Sequence, residues 1–435
     1  MKQLFAFIVC AALLAAPARA SEADAVAISN TIQQRHLPHG LILDPQFAAP
    51  DSNEIVAYAR GGDAAIWTGH YLAAESYRYG VTKSPDALAN VKRALAGLRL
   101  LADVTGNGLL ARCAFPSTWK YAQSVIEDER RHGVYFRVIN GDTYVWLGNT
   151  SRDQYSGVFF GLGVAYDLVE DAQVRDEIKA LATKLLDYLL DHNWLVTMPG
   201  GEISTTFTGH PEQRLSFLAV GRRVNAGFAS DYELARFFAS LTVGSAIVVE
   251  VLEEHDSYFK FNLATINLFN LIRLENDATY RNRYLETYNI LRRTTDDHGN
   301  AHFNMLDRAL RGTAEALRDE ATRQMLNDWL KRPRRDVWLD WRNSARFAAC
   351  GDDRACAPLP VAERICTDFL WQRSPFLLWG GGYGNIEGAG IDYILPYWMA
   401  RYYGVLQEFQ APKRNPTPRS NLPVRERGQT SNGLG

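Results

Sequence analysis

Apolar residues recur at three- and four-residue intervals along most of the chain, the period of an α-helix, so the chain is read as mainly α. Two kinds of helix alternate. Segments 84–103, 171–192, 277–293 and 313–331 carry many charges and one apolar stripe, the pattern of a helix with one wet face. Segments 64–80, 154–168, 258–274 and 389–404 are apolar nearly all round and rich in Gly, Ala and aromatic residues, so they must be covered on most sides. With the weaker candidates 211–226 and 302–312 the second kind numbers six inner helices. Outer partners at 84–103, 171–192, 230–254, 277–293 and 313–331 follow the first five, and segment 22–36 is free to stand beside the last. The pattern predicts an all-α fold of two concentric helical layers.

Connections alternate as well. Inner-to-outer turns are short, whereas the links 104–150, 193–210 and 332–388 are far longer than ordinary loops in a compact domain. They carry Trp119, Trp146, Trp194, Trp338, Trp341, Trp371 and Trp379, which argues against disorder. Within them GVYFRVINGDTYVWLG reads as a β-hairpin turning at Asn140-Gly141, and LVTMPGGEISTTF as another turning at Gly200-Gly201. The long links are expected to gather at one end and wall a cleft.

Both ends of the chain depart from this pattern. The N-terminal MKQLFAFIVCAALLAAPARA has an early lysine, an apolar core and small residues at Ala18 and Ala20, the form of a secretory leader cleaved after Ala20. Residues 21–410 are then one domain, exported to the periplasm or beyond, with no membrane-spanning segment left after cleavage. The tail 411–435 is polar, proline-rich and aperiodic, and reads as disordered.

Composition narrows the partners. With 47 basic and 49 acidic residues the formal charge is −2, no footprint for nucleic acid or an anionic membrane. A small molecule or polysaccharide fits better. Export leaves four cysteines in an oxidising compartment, predicting a short bridge from Cys350 to Cys356 and a second from Cys113 to Cys366. Without a CxxC pair or an HxxxH no metal site is expected, and no motif calls for a cofactor. No GxSxG, P-loop, GxGxxG or HExxH pattern points to serine hydrolase, nucleotide or zinc-protease chemistry.

Six inner and six outer helices with aromatic loops at the mouth and a leader resemble the six-hairpin (α/α)6 glycosidase-like superfamily, whose toroids include unsaturated glucuronyl hydrolases and are related to those of polysaccharide lyases and uronate epimerases. The resemblance spans about 22–408 and is one of architecture, since no single family's catalytic motif matches. It implies a saccharide at the mouth and acids at the starts of inner helices.

Several acids stand at such starts, where free N–H groups favour anions: Asp63, Asp153, Glu212, and Glu387 with Asp392. A glycosidase needs two carboxylates across the scissile bond, one protonated and one ionised. Asp153 and Asp63 are the favoured pair, each flanked by glycine, aromatic and arginine instead of a surface charge run. An acid half-buried beside Tyr155 or Trp67 has its pKa raised, which suits a general acid. The structural alternative is a cap at Ser151 with Asp153 as a first-turn acid. In NTSRDQYSGVFFGLGVAYDL, residues 149–168, Arg152 is placed to grip an anionic group beside Asp153.

A lyase or C5-epimerase would instead use His70, Tyr155 or His210 as base, with Arg152 or Arg112 neutralising a uronate carboxylate. His70 lies two turns below Asp63, where a core histidine is the commoner role. Glu387 and Asp392, in WGGGYGNIEGAGIDY, suit a floor loop under a sugar or a tight turn under the last hairpin. Trp67, Trp119, Trp146 and Trp379 are candidate sugar-stacking platforms. The leading expectation is an exported glycoside hydrolase acting on an oligosaccharide, with a uronate among its possible sugars. The alternatives are a polysaccharide lyase or uronate epimerase, and a non-catalytic saccharide-binding envelope protein.

Overall fold

The structure, a computed structural model, describes residues 20–252 and 257–407. The expected leader, apart from Ala20, and the expected tail lie outside the described residues. The protein is mostly helical, with small antiparallel sheets.

Helix α1 (Glu22–Thr31) starts at a capping box of Ser21 and Asp24, and leads to strands β1 (Asp44–Phe47) and β2 (Ile55–Ala59). Next come α2 (Ala64–Thr82) and α3 (Pro85–Asp103), the second capped by the Ser84 hydroxyl ahead of Pro85. The first long crossover holds β3 (Cys113–Pro116), a short α4 (Ala122–Asp128), β4 (Val134–Ile139) and β5 (Asp142–Leu147). After α5 (Arg152–Leu168) and α6 (Ala172–Asp191) the chain makes β6 (Leu195–Thr197) and β7 (Ile203–Thr206). Then follow α7 (Pro211–Val224), α8 (Ala229–Ala239), α9 (Val243–Leu252), α10 (Phe259–Leu274), α11 (Ala278–Thr295), α12 (Ala301–Arg311) and α13 (Ala316–Trp329). Strands β8 (Arg335–Asp340) and β9 (Trp379–Glu387) bracket the last long crossover before α14 (Ile391–Tyr402).

Burial separates the two kinds of helix. Every residue of α2 from Ala64 to Arg78 and of α14 from Ile391 to Ala400 is buried, whereas α6 buries only the stripe through Val174, Ile178, Leu181, Leu185 and Leu189. Helices α2, α5, α7, α10, α12 and α14 pack in that order, each on the next, and α14 packs on α2. Helices α3, α6, α8, α11 and α13 each pack on the helix they follow, and α1 packs on α14.

The tightest of these contacts joins α2 to α5. A Cβ built on Gly69 would lie 2.1 Å from the Gly157 carbonyl oxygen, and one on Gly161 would lie 2.3 Å from that of Gly69. Only glycines allow backbones to touch this closely. The pairing of Gly69 with both Gly157 and Gly161, and of Ile66 with Gln154 and Gly157, makes the two helices parallel. Their starts therefore lie side by side.

Both predicted hairpins form: β4 pairs with β5 around Asn140 and Gly141, each at positive φ, and β6 pairs with β7 around Gly201. The four-stranded sheet β2-β1-β9-β8 was not anticipated, and it overturns the reading of WGGGYGNIE as a floor loop or tight turn. Its glycines let β9 lie against β8, since a Cβ on Gly381, at φ +118, would lie 2.2 Å from the Val337 carbonyl oxygen. The predicted helix 230–254 is two helices, because the chain turns at Ser240–Thr242, where the Thr242 hydroxyl bonds the Ala239 carbonyl. Cys350 and Cys356 are bridged as expected. Cys113 and Cys366 are not; each is a buried free thiol, Cys113 in the β3–β5 sheet and Cys366 donating to the Pro333 carbonyl.

The α2–α5 contact generates a stability test. Gly69→Ala should cost about 2–4 kcal/mol through backbone overpacking, while Gly209→Ala, with open space at its Cβ, should stay within about 0.5 kcal/mol. Urea midpoints of the two variants check this, and equal midpoints would refute the backbone contact.

Candidate functional site

The first turns of α2 and α5 meet through one side chain. Gln154 accepts the Ile66 N–H at 3.0 Å through its carboxamide oxygen, and its nitrogen donates to Asp63 Oδ1 at 3.0 Å and to Asp153 Oδ2 at 3.4 Å. The two aspartates thus face a common donor. Arg112 fastens the same junction, donating to the Gly62 carbonyl (2.7 Å), the Asn149 carbonyl (2.9 Å) and Ser151 Oγ (2.6 Å), with Asp63 Oδ1 3.6 Å away. Its donors go to two carbonyls and a hydroxyl. Arg112 is therefore a clamp and not the uronate grip expected of it.

The turn that presents Asp63 is held from outside. Arg60 takes a left-handed conformation (φ 61°), with its guanidinium on Asp44 at 2.8 Å and its N–H on Asp128 at 2.9 Å. The Gly62 N–H donates to Glu129 at 2.7 Å. Asp153 receives the Ser151 hydroxyl in a short contact, so Ser151 does not cap the helix through its side chain. Ser151 nevertheless stands at the N-cap position with Asp153 in the first turn, as the structural alternative has it.

A third carboxylate completes the cluster. Asp368, from the last crossover, accepts the Trp67 indole N–H at 3.2 Å, its neighbour Phe369's N–H at 3.0 Å and an Arg373 donor at 3.4 Å. Trp67 is buried and stacked on Phe369 (ring centroids 4.8 Å apart), so it orients Asp368 instead of serving as a sugar platform. Burial among protein groups, then the charges of Asp153 and Asp368, push the Asp63 carboxyl up to about 7, against the opposing pull of Arg112 and Gln154.

An open cleft of about 240 Å³ reaches Asp368 between Arg60, Arg373 and Trp379. Trp379 is 39% exposed on β9, beside the exposed Trp338 (centroids 5.5 Å apart). Of the four tryptophans proposed as platforms, Trp379 alone faces this cleft. Trp146 is buried on β5 against Tyr135, and Trp119 packs among His39, Tyr58, Phe115 and Tyr121.

On the other side of Asp153, Arg152 touches the His210 ring at the start of α7, and His210 Nδ1 is 3.4 Å from Glu212. Arg152 and Glu212 also line a small crevice with Lys260. The remaining candidates lie elsewhere. Tyr155 points into the core, accepting the Leu110 N–H at 3.2 Å among Phe207 and Phe217. His70 is fully buried, bonded to the Ile66 carbonyl at 2.9 Å, and burial drives its pKa down to about 4. Neither is a base at the mouth. Glu387 is bonded to His36 and ion-paired with Arg35, both at 3.1 Å, and Asp392 is buried, accepting the Leu370 N–H at 3.0 Å. Both brace the fold.

Asp368 and Gln154 were missed by sequence reasoning. Asp368 lies in TDFLW, with no periodicity to place it, and Gln154 is uncharged beside a more conspicuous aspartate. Among the described residues no cluster of three His, Cys, Asp or Glu side chains is arranged to hold a metal ion. No family model matches the chain, and no curated protein matches it by sequence.

The raised Asp63 has a consequence for stability. Its folded pKa lies above the unfolded value of about 3.9, so the unfolded chain releases this proton first, and the group costs stability as pH rises from about 4 to 7. Asp63→Asn removes that cost. The variant's stability relative to wild type should rise by about 1–2 kcal/mol between pH 4 and pH 8, allowing for water screening at a side chain 36% exposed. A difference that stays flat across this range in thermal melts would contradict the assignment.

Proposed function

We propose that this chain is an exported glycoside hydrolase with the (α/α)6 toroid fold, and that Asp63 and Asp153 are its catalytic carboxylates. Support for the toroid comes from the order in which α2, α5, α7, α10, α12 and α14 pack, which returns to its start, with a second helix outside each. The Cys350–Cys356 bridge and the leader-like N-terminus support export.

The single observation that carries the enzymatic reading is the sharing of one Gln154 nitrogen by two carboxylates, one of them with a raised pKa. Asp63, protonated near neutrality, donates its proton to the glycosidic oxygen as the bond to the anomeric carbon breaks. Asp153 supplies the opposing carboxylate that stabilises the oxocarbenium-like centre and bonds to it. The 3.0 and 3.4 Å bonds to a common nitrogen keep the facing oxygens closer than the roughly 6.5–9.5 Å needed to seat a water between them. Water, giving a proton to the now ionised Asp63, then displaces Asp153 from the anomeric carbon, which releases the sugar with net retention. Trp379, with Trp338 beside it, would offer a ring to a sugar at the cleft that reaches Asp368.

A lyase or epimerase reading keeps one of its three bases, His210, which stands beside Arg152 at the mouth. A panel of saturated and unsaturated oligosaccharides offered to the chain from Ser21 onward separates these readings. Asp63→Asn and Asp153→Asn, each checked for folding, should lower kcat about 10²–10⁴-fold. Loss in His210→Ala, with both Asn variants active, would favour the lyase, and binding without turnover by wild type a saccharide-binding protein.

The pH profile is a second check. The wild-type kcat/KM should fall above about pH 7, where Asp63 gives up its proton. A profile unchanged from pH 6 to pH 9 would remove Asp63 from the role of acid.

A further inference from the structure

Helices α8 and α9 present an apolar surface that the other described residues leave exposed. Leu234, Phe237, Phe238, Leu241, Val248 and Val249 are all between 42% and 72% exposed. Among the described residues no single helix is long and apolar enough to cross a membrane, but this pair, bent by 66°, reaches that length and composition together. An apolar area of this kind marks a binding surface.

Beneath it runs a groove of about 730 Å³ between α8–α9 and the starts of α7 and β7's following loop, within the range of small-molecule sites. Leu218, Leu234, Phe238 and Val249 give it apolar walls, and Trp194 and Arg214 stand in it together, the guanidinium 5.1 Å from the indole ring. Arg214 makes no side-chain hydrogen bond or ion pair among the described residues, and its Nε is buried without a partner. Burial alone pulls its pKa down. The other charged group on the wall, Asp231, does not neutralise it. Apart from the Trp194 ring the half-buried guanidinium has no partner among the described residues, so it is placed to take an anion at this groove in a charge-assisted contact.

We propose that this groove binds a single-chain anionic amphiphile, its alkyl chain lying along α8–α9 and its acidic head on Arg214. Charge and shape argue for this occupant over two others. A bilayer would be drawn by a surrounding basic patch, and here Arg222 and Arg236 are engaged by Glu233 and Glu275. A second copy of this chain would leave Arg214 without a counter-charge, because it would bring apolar helices to an apolar face.

Calorimetric titration of the full chain with dodecanoate and with neutral dodecyl maltoside, both below micellar concentration, tests the assignment. Dodecanoate should bind saturably with a micromolar Kd; Arg214→Gln should weaken it at least about 10-fold and dodecyl maltoside less than about 3-fold. Arg214→Lys should recover part of the loss, and Ala235→Trp, which fills the groove, should abolish binding of both. Equal dodecanoate binding by wild type and Arg214→Gln would overturn the proposal, as would no saturable binding by the wild type. Flotation on phosphatidylglycerol vesicles without dodecanoate binding would overturn it in favour of a membrane face. A concentration-dependent dimer that dodecanoate leaves intact would overturn it in favour of a second copy.

Discussion

The backbone contact between α2 and α5 is the constraint from which the candidate site follows. Gly69, Gly157 and Gly161 bring the helices closer than any side chain would allow, and each added Cβ would meet a carbonyl oxygen or the backbone of Ile66. At that separation a single carboxamide, Gln154, spans from one helix start to the other and reaches Asp63, Asp153 and the Ile66 N–H at once. Larger residues at the crossing would push the starts apart by more than such bonds tolerate. The glycine-rich, uncharged stretch after Asp153 is thus the condition for two acids to share a donor.

Parallel neighbours impose a second requirement. After α2 ends, the chain must return to the same end before α5 can begin, and the return runs through α3 and the crossover with β3, β4 and β5. That crossover is not idle. It supplies Arg112 to fasten both helix starts, and α4, whose end supports the turn at Arg60 and Gly62. The last crossover supplies Asp368 in the same way, and its return strand β9 carries Trp379. Length in these loops is spent on positioning groups at one end of the helices.

The electrostatic result is a cluster of carboxylates with unequal surroundings. Asp368 is given three donors, Asp153 a hydroxyl and an edge of the Gln154 amide, and Asp63 two like charges with only partial compensation from Arg112. Asp63, left with more repulsion than compensation, holds its proton more tightly than an ordinary aspartate. The cluster also explains why Trp67 is buried: its indole N–H is needed by Asp368.

Helix type and order were legible in the sequence because burial leaves a periodic mark, and an all-round apolar segment such as 389–404 has no other place to go. The two hairpins were legible in Asn140-Gly141 and Gly200-Gly201, where backbone geometry selects the residues. Asp63 and Asp153 stood out by their position at helix starts. What lay beyond the sequence was every relation between distant segments. Tyr155 and His70 share helices with the two acids, yet a rotation around the helix axis sends one into the phenylalanine core and the other under Trp67. Cys113 and Cys366 had matching chemistry, yet the fold buries each as a free thiol. The four-stranded sheet joins β1 to β9, strands more than three hundred residues apart, by pairing that neither strand encodes alone. Local periodicity is written residue by residue, whereas register, facing and shared hydrogen bonds exist only once the helices have packed.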